Sequence, residues 1–381
     1  MKILLFDMGS FTYRDVKEAL IRKGHEVVGF YYHFKDRYED SFFEERIDLE
    51  LKRNHYDAVV SINFFPLLSI ACKEYGISYI SWTYDSPLDS RLSDYFDMDT
   101  NFIYLFDRGE VERCQKSGHN NVYHLPLAVN VDRLDQLIFC NTQKKYYSND
   151  ISFVGRIYES ELDTLMLPAD EYLRGYVEGL FQTQFRLYGS YFLEEAISDT
   201  VINRLNSCYA AIGQDKVHLN KRGLAFAIAA QITHVERSFL LNELAEQYDV
   251  RIYTAAKCDL SPKVKVHGPV KYFDDMNAVF RFSKLNLCPT LKCISTGIPL
   301  RALDVMGNGG VLFSNYQIEL AENFIDGEDV IMYESIEDAI EKANFYLANE
   351  YVLENISKSG REKVKKAFDY DSRVDALLES I

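Results

Sequence analysis

Apolar runs of strand length recur along this chain, each followed by a stretch of helical spacing, and no other feature narrows the possible folds so far. KILLFDM (2–8) is continuously apolar, as a strand buried on both faces must be. YRDVKEALIRKG (13–24) follows at helical spacing and stops at a glycine. HEVVGFYY (25–32), DAVVSIN (57–63), ISYISWTYD (77–85), TNFIYLFD (100–107) and NVYHLPLAVN (121–130) read as further strands. DSFFEERIDLELKRN (40–54), FPLLSIACKEYG (65–76) and RGEVERCQKSG (108–118) read as the helices between them. A polar stretch, NTQKKYYSND (141–150), reads as a linker.

The alternation then restarts. ISFVGRI (151–157), DVRIYTA (249–255), KVKVHGPV (263–270), LNLCPT (285–290), VLFSN (311–315) and DVIMYES (329–335) are the second set of strands. Helices are expected over 234–248, 272–284 and 317–324, and three more toward the C-terminus. Residues 159–230 are helical in character and weak in strand signals, so they read as an elaboration on the second domain. The pattern predicts an α/β protein of two Rossmann-like, doubly wound parallel-sheet domains facing across a cleft. Their expected bounds are 1–145 and 146–365, with the helical insertion at about 160–230 and a C-terminal helix, 366–381, packing back on the first domain. Ligands of such sheets bind beyond the carboxyl ends of the strands, which makes the cleft the expected site.

A chain of 381 residues is too long for one ordinary core, which agrees with two domains. A formal net charge of −16 argues against nucleic acid or an anionic membrane as the main partner. The seven cysteines show no CxxC spacing, so reduced thiols and a cytoplasmic protein are expected. No apolar run reaches the length of a membrane span.

CISTGIPLRALDVMGNGGVLFSN (293–315) carries the chemistry. Pro299 fits the first position of a helix, Ser295 and Thr296 lie in its capping region, and Asn308, Gly309 and Gly310 end it. The N-terminus of this helix would follow the strand LNLCPT, at the carboxyl end of the sheet, where free amide groups favour an anion. Ser295, Thr296 and Gly297 are candidates to hold a diphosphate, helped by Arg301. Asp304, three residues on and on the same face, could accept bonds from two ribose hydroxyls. The alternative is a surface ion pair between Arg301 and Asp304, with plain caps before it.

The segments STGIPLRALDVMGNGGVLFSN, GEDVIMYESIEDAIEKANFYLANE and SGREKVKKAFDYDSRVDALL resemble the C-terminal domain of group 1-type glycosyltransferases of GT-B fold. SWTYDSPL (81–88) and DISFVGRI resemble segments of the spore-maturation-protein (CgeB-like) branch. The resemblance covers most of the chain outside about 160–230 and implies a metal-independent glycosyltransferase with a nucleotide-sugar co-substrate, UDP-linked, and no other cofactor. The implied acceptor is the hydroxyl of a protein, polysaccharide or other glycan, as in bacterial glycosylation. The donor would bind mainly to the C-terminal domain and the acceptor to the N-terminal one. By resemblance Asp304 takes the ribose position, Arg301 and Ser295–Gly297 the diphosphate region, Gly155 and Arg156 the first donor loop, and His267, Gly268 and Val270 the frame of the base. Two positions depart from the family: Thr296 stands where retaining relatives carry a glutamate, which leaves stereochemistry open, and Phe368 stands at a histidine position while Arg373 is kept.

Asp85, at the end of its strand and before Ser86-Pro87, reads as the catalytic base or as a carboxylate orienting the acceptor; the alternative is an Asx-type turn starter. Trp82 reads as core or as a platform for an acceptor sugar, and Gly9 and Ser10 as acceptor-side residues or a simple tight turn. The D-x-D triplets Asp97-Met98-Asp99 and Asp369-Tyr370-Asp371 are expected to hold no metal, and His124 and His234 to be packing or surface residues. A sugar-nucleotide epimerase of the same fold and a non-catalytic nucleotide-sugar-binding protein are the competing functions.

Overall fold

The computed structural model describes residues 1–379 and 381. It divides into two compact units, one of residues 1–136, 297–303 and 363–381, the other of residues 137–296 and 304–362.

The first unit is built on six strands: β1 (Lys2–Asp7), β2 (Glu26–Tyr31), β3 (Ala58–Ile62), β4 (Ser78–Thr83), β5 (Asn101–Leu105) and β6 (Val122–His124). All pair in parallel, in the order β2-β1-β3-β4-β5-β6. β1 lies inside the sheet, with Leu4 opposite Val28 and Val59, and consecutive residues Ile3 to Phe6 are all buried, so both of its faces are covered. An aromatic cluster fills the space between sheet and helices, with the Phe6 ring 4.9 Å from Phe65 and Phe34 4.6 Å from Phe43. Helix Ser41–Arg53 starts where the Asp40 carboxylate accepts from the Phe43 amide at 3.2 Å, and Pro66 opens helix Pro66–Tyr75 as its spacing suggests. The strand expected over 121–130 is only three residues long, since Pro126 brings no N–H to continue a ladder.

The second unit carries β7 (Asn149–Val154), β8 (Val250–Tyr253), β9 (Lys265–His267), β10 (Ser283–Leu287), β11 (Leu312–Asn315) and β12 (Ile331–Tyr333). Their order, β12-β11-β10-β7-β8-β9, is again wholly parallel. Counted within the unit it runs 3-2-1-4-5-6, the doubly wound order whose switch point lies between the first and fourth strands, here β7 and β10.

Two expectations need correction. Residues 141–147 form a helix, because the Cys140 thiol and the Gln143 side chain cap each other's backbone amides reciprocally. The helix expected over 234–248 is the second half of one 24-residue helix, Lys221–Leu244. That helix serves two cores. Leu224, Ile228 and Ile232 pack with Leu173, Leu193 and Leu205 of the helical elaboration, while Leu240, Leu241 and Leu244 pack against the sheet residues Ile151, Ile252 and Leu285. Its apolar residues therefore run round the helix instead of along one stripe.

Candidate functional site

In the first unit the switch point lies between β1 and β3. After β1 the chain turns on Gly9, at φ +94°, and the Asp7 carboxylate accepts from the amides of Gly9 and Ser10 at 2.7 and 3.1 Å. Gly9 and Ser10 thus form a turn braced by Asp7. After β3, Asn63 is held at φ +68°, a left-handed conformation rare for a side-chain-bearing residue. Its amide nitrogen donates to Asp85 Oδ2 at 2.8 Å, and its oxygen accepts from the Tyr84 amide at 2.8 Å. Asn63 so ties the loops after β3 and β4 together and orients the Asp85 carboxylate. Solvent reaches Asp85, yet nearby protein displaces enough of its hydration to push its carboxyl above the ordinary aspartate range, against the pull of Arg37. A raised carboxyl, oriented by a strained neighbour, is a group prepared to take a proton. Asn63 was missed in the sequence, where SINFFP reads as an ordinary strand end.

Trp82 is 1 % exposed and packs edge-on against Tyr84 and Tyr370, with its indole N–H toward the Leu125 carbonyl at 3.4 Å. It is a core residue and presents no ring to an acceptor, which corrects the platform reading. Phe368 is also buried, and Arg373 donates to the carbonyls of Pro126 and Ala367 at 3.0 and 2.7 Å.

Helix Leu300–Gly307 begins one residue later than expected, leaving Pro299 just ahead of it. The Gly297 amide, expected to face an anion, donates to Asp107 Oδ1 at 3.2 Å. A Cβ on Gly297 would lie 2.8 Å from Asp107 Cα, so this glycine is required by close packing in the first unit. That replaces the diphosphate role assigned to it.

In the second unit a cavity of about 820 Å³ opens at the carboxyl ends of β7 and β8. It is lined by Arg156, Tyr158 and Glu159 from the loop after β7, His234 and Ser238 from the long helix, and Lys257 and Asp259 from the loop after β8. The volume suits a nucleotide-sized ligand. Arg156 and Lys257 bring two cations to one wall system, and the Ser238 hydroxyl is buried with no partner. Lys257 carries no sequence signal, because TAAKCDL fits no phosphate-binding pattern. His234 Nδ1–H donates to the Tyr158 carbonyl at 2.7 Å, and so fixes that wall.

Of the residues expected to hold a donor, only Arg156 lines this cavity. His267 ends β9 and stacks on Tyr253 at 5.1 Å; burial depresses its pKa, and its Nε2 is buried without a partner. Gly268 has open space where a Cβ would stand, Gly155 directly follows β7 with its amide donating to the Tyr253 carbonyl at 3.2 Å, and Val270 lies three residues beyond β9. Asp304 is 3 % exposed and accepts from the Tyr272 hydroxyl at 2.8 Å, so it is a buried carboxylate with a defined orientation. Thr296 donates to Glu319 Oε1 at 2.7 Å, while the Glu319 amide donates to the Thr296 carbonyl at 3.1 Å. Thr296, where the resemblance led to the expectation of a glutamate, therefore has a carboxylate beside it from helix Ile318–Asn323. Arg301 stands half-buried one turn before Asp304, and Ser295 lies in the approach to the helix.

The acids of both D-x-D triplets serve the fold. Asp97 pairs with His119 at 2.8 Å, Asp99 with Lys73, Asp371 with Arg22 at 2.5 Å, and Asp369 caps helix Tyr370–Leu378. Among the described residues no group of three or more His, Cys, Asp or Glu is arranged to hold a metal ion. Among them, too, no helix is long and apolar enough to cross a membrane.

Residues 236–379 match a family described as glycosyl transferase-like. No curated protein matches the sequence. Among solved structures, the chain is similar to a glycosyltransferase from Rickettsia africae, with a TM-score of 0.57 at 11% identity, covering 100% of this chain and 97% of that one. Sucrose-phosphate synthase from Thermosynechococcus elongatus gives a TM-score of 0.59 at 11% identity, covering 100% and 98%. HepE of Anabaena, solved in complex with UDP and glucose, gives 0.54 at 9% identity, covering 100% and 99%. The two parallel sheets with their flanking helices are those of the GT-B fold. The family match, carried on this fold, favours a glycosyltransferase over the epimerase and the non-catalytic binder.

Proposed function

We propose that this chain moves a sugar from a UDP-linked donor to a hydroxyl of a glycan or protein acceptor, without a bound metal, and belongs to the spore-maturation-protein (CgeB-like) branch. The observation that carries the reading is the family match over 236–379, which spans the strands β8 to β12 and the loop after β8 that lines the cavity. The UDP-bound state of HepE, a neighbour in fold, supports the choice of nucleotide. In this reading Arg156 and Lys257 receive the diphosphate, and Asp304 accepts from the ribose hydroxyls. Asp85 takes the proton as the acceptor oxygen attacks the anomeric carbon. The bond from that carbon to the diphosphate breaks, and UDP leaves with the electron pair. The cations stabilise the charge that develops on the leaving phosphate.

A ligand that binds only the native state raises the melting point, so a thermal-shift series with UDP-, GDP-, dTDP- and CMP-linked sugars should single out the UDP compounds. Asp304→Asn keeps the shape of the side chain and removes its charge. It should weaken UDP binding by about tenfold, the scale of one hydrogen bond to a charged group. Equal shifts for all four series, or UDP affinity unchanged in a folded Asp304→Asn, would count against the reading. Conversion of the sugar nucleotide without any acceptor would point to the epimerase.

A further inference from the structure

The loop after β10 is anchored far more heavily than a surface connection needs. Leu291 and Cys293 are buried in the core of the helical elaboration, packed with residues such as Leu224 and Ile228. Between them Lys292 turns the other way. Its side chain is 5 % exposed, 3.6 Å from the fully buried Glu236, and its ammonium lies 3.7 Å from the centre of the Tyr188 ring. Glu236 also accepts from the hydroxyls of Tyr333 and Tyr188 at 3.0 and 3.3 Å. The Lys292 amide donates to the Thr233 hydroxyl at 3.0 Å.

Arg237, the next residue of the same helix, completes the set. Its guanidinium donates to the Pro289 carbonyl at 3.1 Å and to the Arg156 carbonyl at 2.5 Å. It lies over the rings of Phe153 and Tyr158 at 5.3 and 5.0 Å. One buried side chain thus joins the loop after β7 to the loop after β10, across the switch point of the sheet. A buried ion cluster is a poor device for stability, since apolar residues of like volume serve as well or better. Glu236 Oε2 and Lys292 Nζ even lack hydrogen-bond partners. What this cluster does supply is a fixed position for two loops.

We propose that Arg237 is a positioning residue for the donor's diphosphate, holding both switch-point loops in register, and that the helical elaboration serves as the abutment for the second loop through Tyr188, Leu291 and Lys292. The inference rests on the donor reading given above. It predicts that what is lost with Arg237 is the contribution of the second phosphate. Calorimetry with UDP and UMP on wild type, Arg237→Lys, Arg237→Met and Lys292→Met reads this directly. In the wild type UDP should bind at least tenfold more tightly than UMP. In each variant the ratio should fall to within about threefold, with Arg237→Lys no better than Arg237→Met, because a point charge does not span two carbonyls. Lys292→Met cuts a separate tie to the same loop and stands in if the Arg237 variants do not fold. A ratio kept at the wild-type value in the folded variants, with only the melting point lowered, would make the cluster purely structural and overturn the inference. A wild type that binds neither nucleotide would instead bring down the donor reading on which it stands.

Discussion

At the scale of single residues, Asp85 and Asn63 carry the strongest chemical statement of the first unit. Desolvation raises the folded carboxyl of Asp85 above its ordinary value of 3.8. The folded state therefore keeps this proton to higher pH than the unfolded chain does. Stability due to this group is complete at low pH and is lost as pH rises from 3.8 through the raised folded value. Asp85→Asn should accordingly unfold at a slightly higher denaturant concentration than wild type at pH 7, while its turnover falls by about 10²–10⁴-fold, the range for a lost general base. The wild-type rate should show an acid limb above the ordinary aspartate range, absent from the residual activity of the variant. Full turnover in Asp85→Asn would refute the assignment. Asp85 stood out as a candidate because it closes the run ISYISWTYD and precedes Ser86-Pro87, although the strand itself stops at Thr83; Asn63 did not, because nothing in SINFFP announces its backbone angle. Trp82 was legible only as a choice between two roles, and its neighbours Tyr84 and Tyr370 decide for the core.

At the scale of elements, hydrophobic spacing located the twelve strands and most helices, since period and burial share one physical cause. It failed where side-chain bonding overrode composition. The polar run 141–147 is helical through the caps of Cys140 and Gln143, and the break expected near 230 vanished because one helix feeds two cores. The loop before helix Leu300–Gly307 shows the same limit. Its glycine was read as a phosphate cradle, yet the constraint on it is steric. Gly297→Ala would bring a methyl group within 2.8 Å of a backbone carbon. Relieving that overlap should destabilise the protein by about 1–3 kcal/mol, measured by urea denaturation with and without UDP. An alanine variant as stable as the wild type would show that the loop has room that the packing denies. The pairs Thr296–Glu319 and Tyr272–Asp304 join residues 23 and 32 positions apart, a separation that no local pattern reveals.

At the scale of the whole molecule, the first unit takes segments from both ends of the sequence. Helix Tyr370–Leu378 packs on helix Tyr13–Arg22, tied by Arg22–Asp371 and Lys23–Asp375 at 2.5 Å each. Tyr370 is 2 % exposed, with its ring 6.0 Å from Trp82. Trp82 is the one tryptophan in 381 residues, so tryptophan fluorescence, excited at the red edge where the 27 tyrosines do not absorb, reports on the first unit alone. Removing a buried aromatic ring typically costs about 3–5 kcal/mol. Tyr370→Ala should lower the midpoint of the fluorescence transition in guanidinium, and a midpoint unmoved would show that the segment merely lies against the unit.

The interleaving of segments has a bearing on biogenesis. Domains usually fold in the order in which they leave the ribosome. Here the unit that is begun first lacks helix Tyr370–Leu378, which packs on helix Tyr13–Arg22 and sets Tyr370 against Trp82, until residues 370–378 have emerged. The nascent first half must wait with Trp82 lacking its Tyr370 cover, whereas the second unit has all its residues once residue 362 has emerged.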